Sequence, residues 1–429
     1  MEEIYKKISN ESDFGPDDTG KSEIQEFFVG QSIFLTGSTG FLGKCFVEKL
    51  LRSCPGIKKL YLLIRPHKQP VKERLFEKLR KLQPNFMSKV VVIEGNLMEN
   101  GMNLSDEDRK MIVNEVTLMI HNASNVKFDG RTSLILRCNV LGTKYMLDLA
   151  KELISTYQEP IPSWCGNING PAWALLGGGL GVLHTGYTVR NTMDLIPADM
   201  CTNALLAITW DILKNRKENI GDVMVFNYGS STVNPINFQR FGDIVTPRGQ
   251  ETPSAKMIAP HFILFTPYFY WFFVVHIFVH FIPAVIADIA LLITRRKPRA
   301  VSIFWKLTSS LHMMFYFLNT NWRIHIHETQ KVWDRMNERD RHLFFCDFRL
   351  FDWITYGYSY WAGLRVYVLD DPMTTLPAAR KKYKIFQGLY EIFKAMLYTY
   401  ILYYSLNYLL IIMSPLKIYA LQKYTPDSF

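Results

Sequence analysis

Apolar and polar positions alternate in a regular way over the first 150 residues. Four apolar runs have the length of buried strands: Ser32–Thr36, Lys59–Ile64, Val90–Gly95 and Val116–His121. Charged or amphipathic segments follow them and predict helices: Lys44–Ser53, Lys72–Lys81, Leu104–Glu115 with Ser105 as N-cap, and Leu141–Leu153. Strands that alternate with helices of this length predict βαβ units and a parallel sheet. The fold class is therefore α/β.

The alternation stops after Ile154. Residues 155–193 are rich in Gly, Pro and Trp and predict a loop, followed by a helix over Ala198–Asn215 and a strand over Val223–Tyr228. Residues 300–390 are charged, aromatic and mostly helical in pattern. The pattern predicts an α/β domain that is followed by a helical C-terminal domain.

Five segments result from these shifts. We expect a flexible leader over 1–30, an α/β domain over 31–257, an apolar membrane-associated segment over 258–299, a helical domain over 300–390 and a transmembrane helix over 395–416. The start of the chain is polar and acidic, which is unlike a signal peptide and favours a cytosolic first domain.

Composition narrows the function classes. The 429 residues carry 49 Lys+Arg against 39 Asp+Glu, a net charge of +10. No zinc-finger spacing or RNP motif accompanies that charge, so we expect no nucleic-acid partner. The six cysteines have no Cys-x-x-Cys spacing and predict free thiols. His276 and His280 could share a helix face, but further His boxes are missing, so no metal is expected.

The best-defined motif joins the first strand to the first helix. Thr36-Gly37-Ser38-Thr39-Gly40-Phe41-Leu42-Gly43 places glycines at intervals of three, after a strand and before a helix. Such a loop lets backbone amides approach a pyrophosphate at a helix N-terminus. We expect Thr36, Gly37, Thr39, Gly40, Phe41, Leu42 and Gly43 to bind a dinucleotide.

The ends of the other strands complete this prediction. Arg65 follows the second strand, where an acidic residue would select NAD, so a cation there favours the 2′-phosphate of NADPH. Asn96 and Leu97 follow the third strand and are expected near the adenine. Asn122 and Ala123 follow the fourth strand and are expected along the nicotinamide ribose, whereas His121 more readily packs than acts as a base.

Several segments together carry a family resemblance. TGSTGFLG, YLLIRP, GNL, HNASNVKFD and NVLGT, which contains Asn139, look like an extended short-chain dehydrogenase/reductase. EPIPSW, NINGP, DLIPADM, SSTVNP, FDW and LPAAR resemble the alcohol-forming fatty acyl-CoA reductases common in insects. The resemblance implies NADPH as cofactor, with Asn139 in its site, long-chain fatty acyl-CoA as substrate and a fatty alcohol as product.

The proton donor of that family is missing at its expected place. The family uses a Tyr with a Lys four residues later, and no Tyr between residues 140 and 230 has this partner. Ala150-Lys151-Glu152-Leu153 leads directly into the segment before the acyl pocket, which implies a gap of about a hundred residues near 151–155. A skipped exon, a mis-assembled gene or a degenerate paralogue would each produce it. The catalytic residues are therefore unknown, and Tyr157 is the one nearby phenol.

Two segments predict membrane contact. Residues 395–416 form 22 uncharged residues with Lys and Arg dominating the N-terminal flank, which favours a spanning helix with the body in the cytosol. Residues 262–287 are apolar but contain Pro267 and Pro283, so an interfacial or re-entrant hairpin that admits the acyl chain is favoured. The lipid bilayer is an expected partner, at the endoplasmic reticulum or the peroxisome.

Three functions stay open. The first is a membrane-attached NADPH-dependent reductase impaired by the gap. The second is a pseudo-reductase or truncated isoform that binds NADPH or acyl-CoA without turnover. The third, another extended short-chain enzyme such as a sterol dehydrogenase, fits the C-terminal FDW and LPAAR segments less well. Acyl-chain length and oligomeric state are left open by the sequence.

Overall fold

A four-stranded parallel sheet forms the centre of the N-terminal domain. The computed structural model describes residues 21–65, 77–96, 100–123, 171–189, 191–214 and 224–424. The strands are β1 (Ser32–Thr36), β2 (Lys59–Ile64), β3 (Val90–Glu94) and β4 (Leu118–His121), in the spatial order β3-β2-β1-β4. This confirms the predicted strands and the α/β class.

Helices cover this sheet as the alternation predicts. They are α1 (Glu23–Phe28), α2 (Phe41–Ser53), α3 (Glu77–Leu82) and α4 (Asp106–Glu115). Ser105 caps α4, since its Oγ accepts from the Asp108 backbone amide at 3.0 Å. All five residues of β1 are buried, as expected of a strand covered on both faces. The predicted helix over 141–153 and the predicted gap near 151–155 lie outside the described residues.

The predicted leader ends earlier than expected. Residues 23–28 form α1, and Ile24 and Phe28 are fully buried. The Asp340 carboxylate accepts from the Glu23 amide at 3.1 Å and from the Ile24 amide at 3.4 Å, and the Ser22 hydroxyl donates to the same group. The prediction of a leader over 1–30 is wrong for residues 22–28, because a distant carboxylate satisfies the first amides of this helix.

The segment predicted as loop after residue 155 contains structure. It holds α5 (Pro171–Gly179), β5 (Thr185–Tyr187) and β6 (Thr192–Met193). The following elements are α6 (Ala198–Lys214), β7 (Ile236–Asn237), α7 (Phe238–Glu251) and β8 (Leu264–Thr266). β5 pairs in parallel with β8, and β6 pairs antiparallel with β7. Residues 224–228 form no strand, contrary to the prediction for Val223–Tyr228.

The apolar segment forms one continuous helical rod after β8. It consists of α8 (Phe269–His276), a π-turn (Ile277–Phe281) and α9 (Ile282–Ile293). Pro267 lies before the rod, and Pro283 lies inside it, directly after the π-turn, where the hydrogen bonding already departs from the α-helical pattern. The prolines therefore do not break the segment. Residues 264–266 belong to the folded body through β8, so the apolar segment begins later than 258.

The C-terminal region is helical, as predicted. It contains α10 (Ala300–Asn319), α11 (His327–Arg335), α12 (Glu338–Leu343), α13 (Trp353–Gly363) and α14 (Leu376–Tyr424). The residues 395–416 lie within α14, a helix of 49 residues. Leu397, Ile401 and Leu409 are each at least 44% exposed there, as are most of their apolar neighbours up to Leu410. Their exposure agrees with, but does not test, a transmembrane role.

Candidate functional site

The glycine-rich loop between β1 and α2 approaches the end of β4. Gly37 has φ of 74°, a left-handed conformation that glycine adopts without strain. A Cβ on Gly37 would lie 2.4 Å from the Asn122 backbone oxygen and 2.7 Å from the Ala123 amide nitrogen. Only a residue without a side chain fits between the two strand ends. The structure therefore brings Gly37, Asn122 and Ala123 together.

The same loop packs tightly on the first turn of α2. A Cβ on Gly43 would lie 2.2 Å from the Gly37 oxygen, and the Gly40 amide donates to that oxygen at 3.0 Å. Gly40 is the N-cap and offers no side-chain acceptor, unlike Ser105 at the start of α4. This arrangement presents a helix N-terminus to a ligand, where an anionic phosphate is favoured by the amides and the helix dipole.

The remaining loop residues have distinct environments. Thr36 and Leu42 are buried, whereas Thr39 and Phe41 are half-buried beside the exposed Gly40. The Thr36 hydroxyl lies 2.7 Å from Nδ1 of His121, its register partner on β4. Sequence reasoning assigned His121 a packing role but missed this bond, which adjacency of the two strand ends alone could have suggested. Behind the loop, burial raises the pKa of the Cys45 thiol well above its ordinary value, so Cys45 is neutral.

The other predicted residues follow neighbouring strands at the same edge of the sheet. Arg65 follows β2 and is exposed. Asn96 follows β3, is half-buried, and donates from its backbone amide to the Met102 oxygen at 2.7 Å. The parallel register pairs Thr36 with Leu63 and Ile64 with Glu94. The carboxyl ends of all four strands therefore meet at one edge, where open α/β sheets bind their ligands.

Three residues named from the sequence lie outside the described residues. They are Leu97, Asn139 and Tyr157. The Tyr-x-x-x-Lys spacing does recur in the chain, at Tyr390–Lys394 and Tyr419–Lys423, both within α14. The Tyr390 ring lies tilted against Phe262 with the ring centres 5.2 Å apart, and Lys394 pairs with Glu391 at 2.9 Å. This spacing therefore belongs to the C-terminal helix and not to the nucleotide-binding edge.

The two histidines considered as metal ligands have other partners. His276 lies between the Thr185 hydroxyl, 2.9 Å from its Nδ1, and the Thr308 hydroxyl, 3.0 Å from its Nε2. Nε2 of His280 accepts from the His184 backbone amide at 2.9 Å. Both histidines thus join the helical rod to the body. Among the described residues, no group of three His, Cys, Asp or Glu side chains could hold a metal ion.

An apolar cavity lies between the small β5–β8 sheet and α10. Its lining comes from α5, the two strands, the start of α7 and α10, and includes Trp173, Leu183, Tyr187, Phe238, Phe265 and Leu318. A Cβ on Gly186 would lie 2.7 Å from the Phe265 ring, so this ring occupies the space that a side chain at position 186 would need. The cavity is lined almost wholly by apolar atoms, but its volume of about 10 Å³ is room for roughly one water molecule and does not hold an alkyl chain in this arrangement.

One helical segment of the described residues is long and apolar enough to cross a membrane. It is Phe269–Ile293, with 25 residues, and little of it is buried against the rest of the chain. Its length and composition alone give this result. It is the segment for which the sequence favoured a hairpin. The transmembrane helix over residues 395–416 stays a prediction.

Two family profiles match the chain. Both are described as Male sterility protein; an NAD-binding profile covers residues 35–158 and a profile named Sterile covers residues 279–371. The first includes the glycine-rich loop and the strand ends described above. The second covers all of α9 and extends through α13 to residue 371.

Curated relatives align with most of the chain. Fatty acyl-CoA reductase wat of Drosophila melanogaster is 25% identical, with 88% of this chain and 92% of the relative aligned. Fatty acyl-CoA reductase 1 of Rattus norvegicus is 26% identical, over 83% of this chain and 88% of the relative. The Drosophila alignment runs over 481 positions but contains only 88% of the 429 residues of this chain, so about a hundred positions have no residue here.

Among solved structures, the terminal R domain of the myxalamid PKS-NRPS pathway is similar at 15% identity and a TM-score of 0.49, covering 84% of this chain and 97% of that domain. The reductase domain of a non-ribosomal peptide synthetase from Mycobacterium tuberculosis is 13% identical with a TM-score of 0.46, covering 84% of this chain and 99% of that domain.

Proposed function

This chain belongs to the fatty acyl-CoA reductase family, and from that premise we propose a site built for NADPH-dependent reduction of long-chain fatty acyl-CoA to fatty alcohol, with turnover impaired in this chain. The observation that carries the proposal is a preserved nucleotide edge in a sequence that lacks the family's proton donor. The cofactor class, a nicotinamide dinucleotide, follows from the family and the fold.

The glycine cradle fits the pyrophosphate of such a cofactor. Any side chain on Gly37 would fill the space beside Asn122, and Gly40 leaves the start of α2 without a side-chain cap. The amides of the first turn of α2 would bind phosphate, Asn96 and Leu97 the adenine end, and Asn122, Ala123 and Asn139 the nicotinamide ribose. When bound, NADPH supplies a hydride. Arg65 supports NADPH over NADH, because an exposed cation there would pair with a 2′-phosphate.

The acyl-CoA ligand is supported by the relatives and not by a preformed cavity. The curated relatives are named fatty acyl-CoA reductases. The apolar cavity beside α10, lined by Trp173, Phe265 and Leu318 among others, has a volume of about 10 Å³, which is room for roughly one water molecule. A long acyl chain would have to part these side chains in order to bind there.

The proton donor is the missing part. Hydride addition to a carbonyl leaves an oxyanion that a positioned acid must protonate. Tyr-x-x-x-Lys is missing between residues 140 and 230, and the hundred or so alignment positions without a residue here agree with a lost internal segment. Cofactor and substrate binding alone supply no acid at the carbonyl. We therefore expect binding without efficient turnover.

The same observation favours a second candidate function. A chain that keeps the cofactor loop and loses the donor would act as a non-catalytic module that holds NADPH or acyl-CoA. A sterol dehydrogenase is less well supported, because the Sterile profile covers residues 279–371. Binding measured apart from turnover separates the module from an enzyme.

Membrane attachment is part of the proposal. α14 carries exposed apolar side chains over residues 396–410, and Arg380, Lys381, Lys382 and Lys384 precede them. The charge bias favours a cytosolic body. The apolar rod Phe269–Ile293 adds a second contact. Membranes of the endoplasmic reticulum and the peroxisome both fit this arrangement.

The test is an alcohol-formation assay with the full chain. Purified or microsomal protein receives a long-chain acyl-CoA and NADPH, and alcohol is measured by chromatography. We expect NADPH binding, measured by fluorescence titration, but no alcohol. Insertion of the missing family segment should restore the product.

A displaced tyrosine is the competing explanation. Robust alcohol formation that is abolished by Tyr157→Phe would refute the impairment and identify a rebuilt site. Tyr358→Phe is the matched control, since the Tyr358 ring contacts the Arg248 guanidinium at 3.1 Å from the ring centre and needs no hydroxyl for that contact.

A further inference from the structure

The apolar rod and α10 form an antiparallel helical hairpin. Ring contacts join the two arms: Phe272 to Phe315 at 5.5 Å near the body, and Phe281 to Phe304 at 5.2 Å nearer the turn. His276 bridges both arms through Thr308 of α10. The chain therefore leaves the body at residue 269, turns at residues 294–299 and returns. We call those six residues the hairpin tip.

Hydrogen bonds from backbone amides hold the two ends of the tip to the helices on either side. Asp288 accepts from the amides of Arg299, Ala300 and Val301 at 2.7, 2.8 and 3.0 Å. The Arg296 amide donates to the Leu291 oxygen at 2.7 Å and the Arg295 amide to the Leu292 oxygen at 2.9 Å, which ends α9. The Asp288 carboxylate thus satisfies the backbone amides at the start of α10.

Arg295 occupies a position where glycine is usual. Its φ is 57°, a left-handed conformation that disfavours residues with a Cβ. A glycine at position 295 would adopt this conformation without strain, yet the residue there is an arginine. Retained strain of this kind is a reason to look for a role of the side chain.

Cations and apolar side chains are adjacent at the tip. Arg295, Arg296, Lys297 and Arg299 are exposed, and none of them forms an ion pair with the described residues. Apolar side chains that are each more than half exposed surround them: Ile286, Ile289, Leu292, Ile293, Ile303 and Trp305. A cationic tip with an apolar collar is complementary to an anionic headgroup layer above hydrocarbon.

We infer that the hairpin tip binds the surface of a bilayer that contains anionic phospholipids. The arms lie along the interface of one leaflet, with the apolar collar at the acyl boundary and the four cations at the phosphates. Two facts favour this position over a crossing. A crossing hairpin would carry the four cations to the far side, against the positive-inside rule. It would also bury Lys306 and Ser309 of α10, both exposed.

The inference rests on the proposed membrane attachment and extends it to a lipid class. The experiment is hydrogen–deuterium exchange of the full chain in nanodiscs, either of phosphatidylcholine alone or with added phosphatidylserine. Peptides over residues 286–305 should exchange several-fold more slowly with phosphatidylserine, because headgroups shield the tip amides. Raised salt should weaken the effect. Peptides from α6, inside the body, should not change.

The test variant replaces Arg295, Arg296, Lys297 and Arg299 by Gln. It should lose the lipid-dependent difference. The matched control has the same change in net charge from exposed cations elsewhere: Lys58, Arg109, Lys110 and Arg323, each replaced by Gln. The control should keep the difference.

The outcomes separate the two proposals. A chain that does not enter nanodiscs of either composition would contradict membrane attachment itself. A chain that enters both, with equal exchange at the tip, would overturn the headgroup inference alone. An equal response in the test variant and the wild type would also overturn it, because the anionic lipid would then act elsewhere.

Discussion

The packing of Gly43 against the phosphate loop gives the sharpest prediction. Gly43 and Gly388 both lie in helices, α2 and α14. A Cβ on Gly43 would lie 2.2 Å from the Gly37 oxygen, whereas nothing lies within 4 Å of a Cβ on Gly388. Replacement of each by Ala is therefore the same chemical change in opposite surroundings.

The two substitutions should differ in sign. Ala is favoured over Gly in a helix by about 1 kcal/mol, so Gly388→Ala should stabilise the chain slightly. At Gly43 the loop must retreat by roughly 1 Å to restore an ordinary contact distance. Overpacking of this kind costs about 1–3 kcal/mol, which offsets the gain and moves the Gly37 carbonyl. Misplaced amides on a charged phosphate lose about 1.5–3 kcal/mol, which is roughly 10- to 150-fold in NADPH affinity.

The assay is a fluorescence titration of NADPH with the full chain in nanodiscs, alongside thermal unfolding. Gly43→Ala should bind NADPH at least tenfold more weakly, while Gly388→Ala should bind as wild type does. Wild-type affinity in Gly43→Ala would refute the reasoning, because the loop and the first turn of α2 could not then be packed as described. A loss in Gly388→Ala as well would point to a global effect.

Three further predictions follow from other parts of the molecule. Arg65→Glu should weaken NADPH binding by about 2 kcal/mol, ~30-fold, and NADH binding much less, because it replaces an attraction by a repulsion only at the 2′-phosphate. Arg109→Glu is the control for the change in charge. Equal losses of affinity for both cofactors would show that Arg65 does not contact the 2′-phosphate. A chain that ends at Arg380 should pellet less with membranes in fractionation, and an unchanged distribution would move the anchor to the hairpin. Although burial raises the pKa of Asp371, hydrogen bonds from Thr375, Ser254 and Arg365 outweigh it and lower the pKa to about 2. The ionised Asp371 therefore stabilises the fold at pH values above about 4, the pKa of Asp in the unfolded chain, and this stabilisation is lost as the pH falls toward 2. Asp371→Asn should thus lower the melting temperature at pH 6 and make a smaller difference at pH 3.

The sheet and its loop could be predicted because local pattern determines them. The runs at Ser32–Thr36 and Lys59–Ile64 match β1 and β2 residue for residue, since strands covered on both faces are continuously apolar. Gly37 and Gly43 have the tight turn and the close packing expected of them, because these steric roles are determined within eight residues of chain, whereas dinucleotide binding by Gly37, Gly40 and Gly43 stays a prediction. The catalytic residues could not be named, and the cofactor roles of Arg65, Asn96, Asn122 and their neighbours stay predictions.

Elements that depend on distant contacts were missed. α5 contains Gly177, Gly178 and Gly179, which weaken a helix in isolation. The structure needs them, because a Cβ on Gly179 would lie 1.8 Å from the Trp361 ring and one on Gly178 would lie 2.6 Å from Ile263. Close tertiary packing thus overrides helix propensity here. Residues 224–228 have the composition of a strand but form none, because strand propensity alone does not supply a neighbouring strand to pair with.

The contact between α1 and Asp340 has a consequence for the order in which the protein is made. The first amides of α1 receive an acceptor from Asp340 in a chain of 429 residues, and Lys49 of α2 donates to the Leu343 oxygen nearby. A chain still emerging from the ribosome therefore cannot finish its N-terminal domain until the α12 segment has been synthesised. A transcript shortened in its middle keeps both ends of this contact. One shortened by the same length at its 3′ end would lose Asp340 and leave the start of α1 with the Ser22 cap alone.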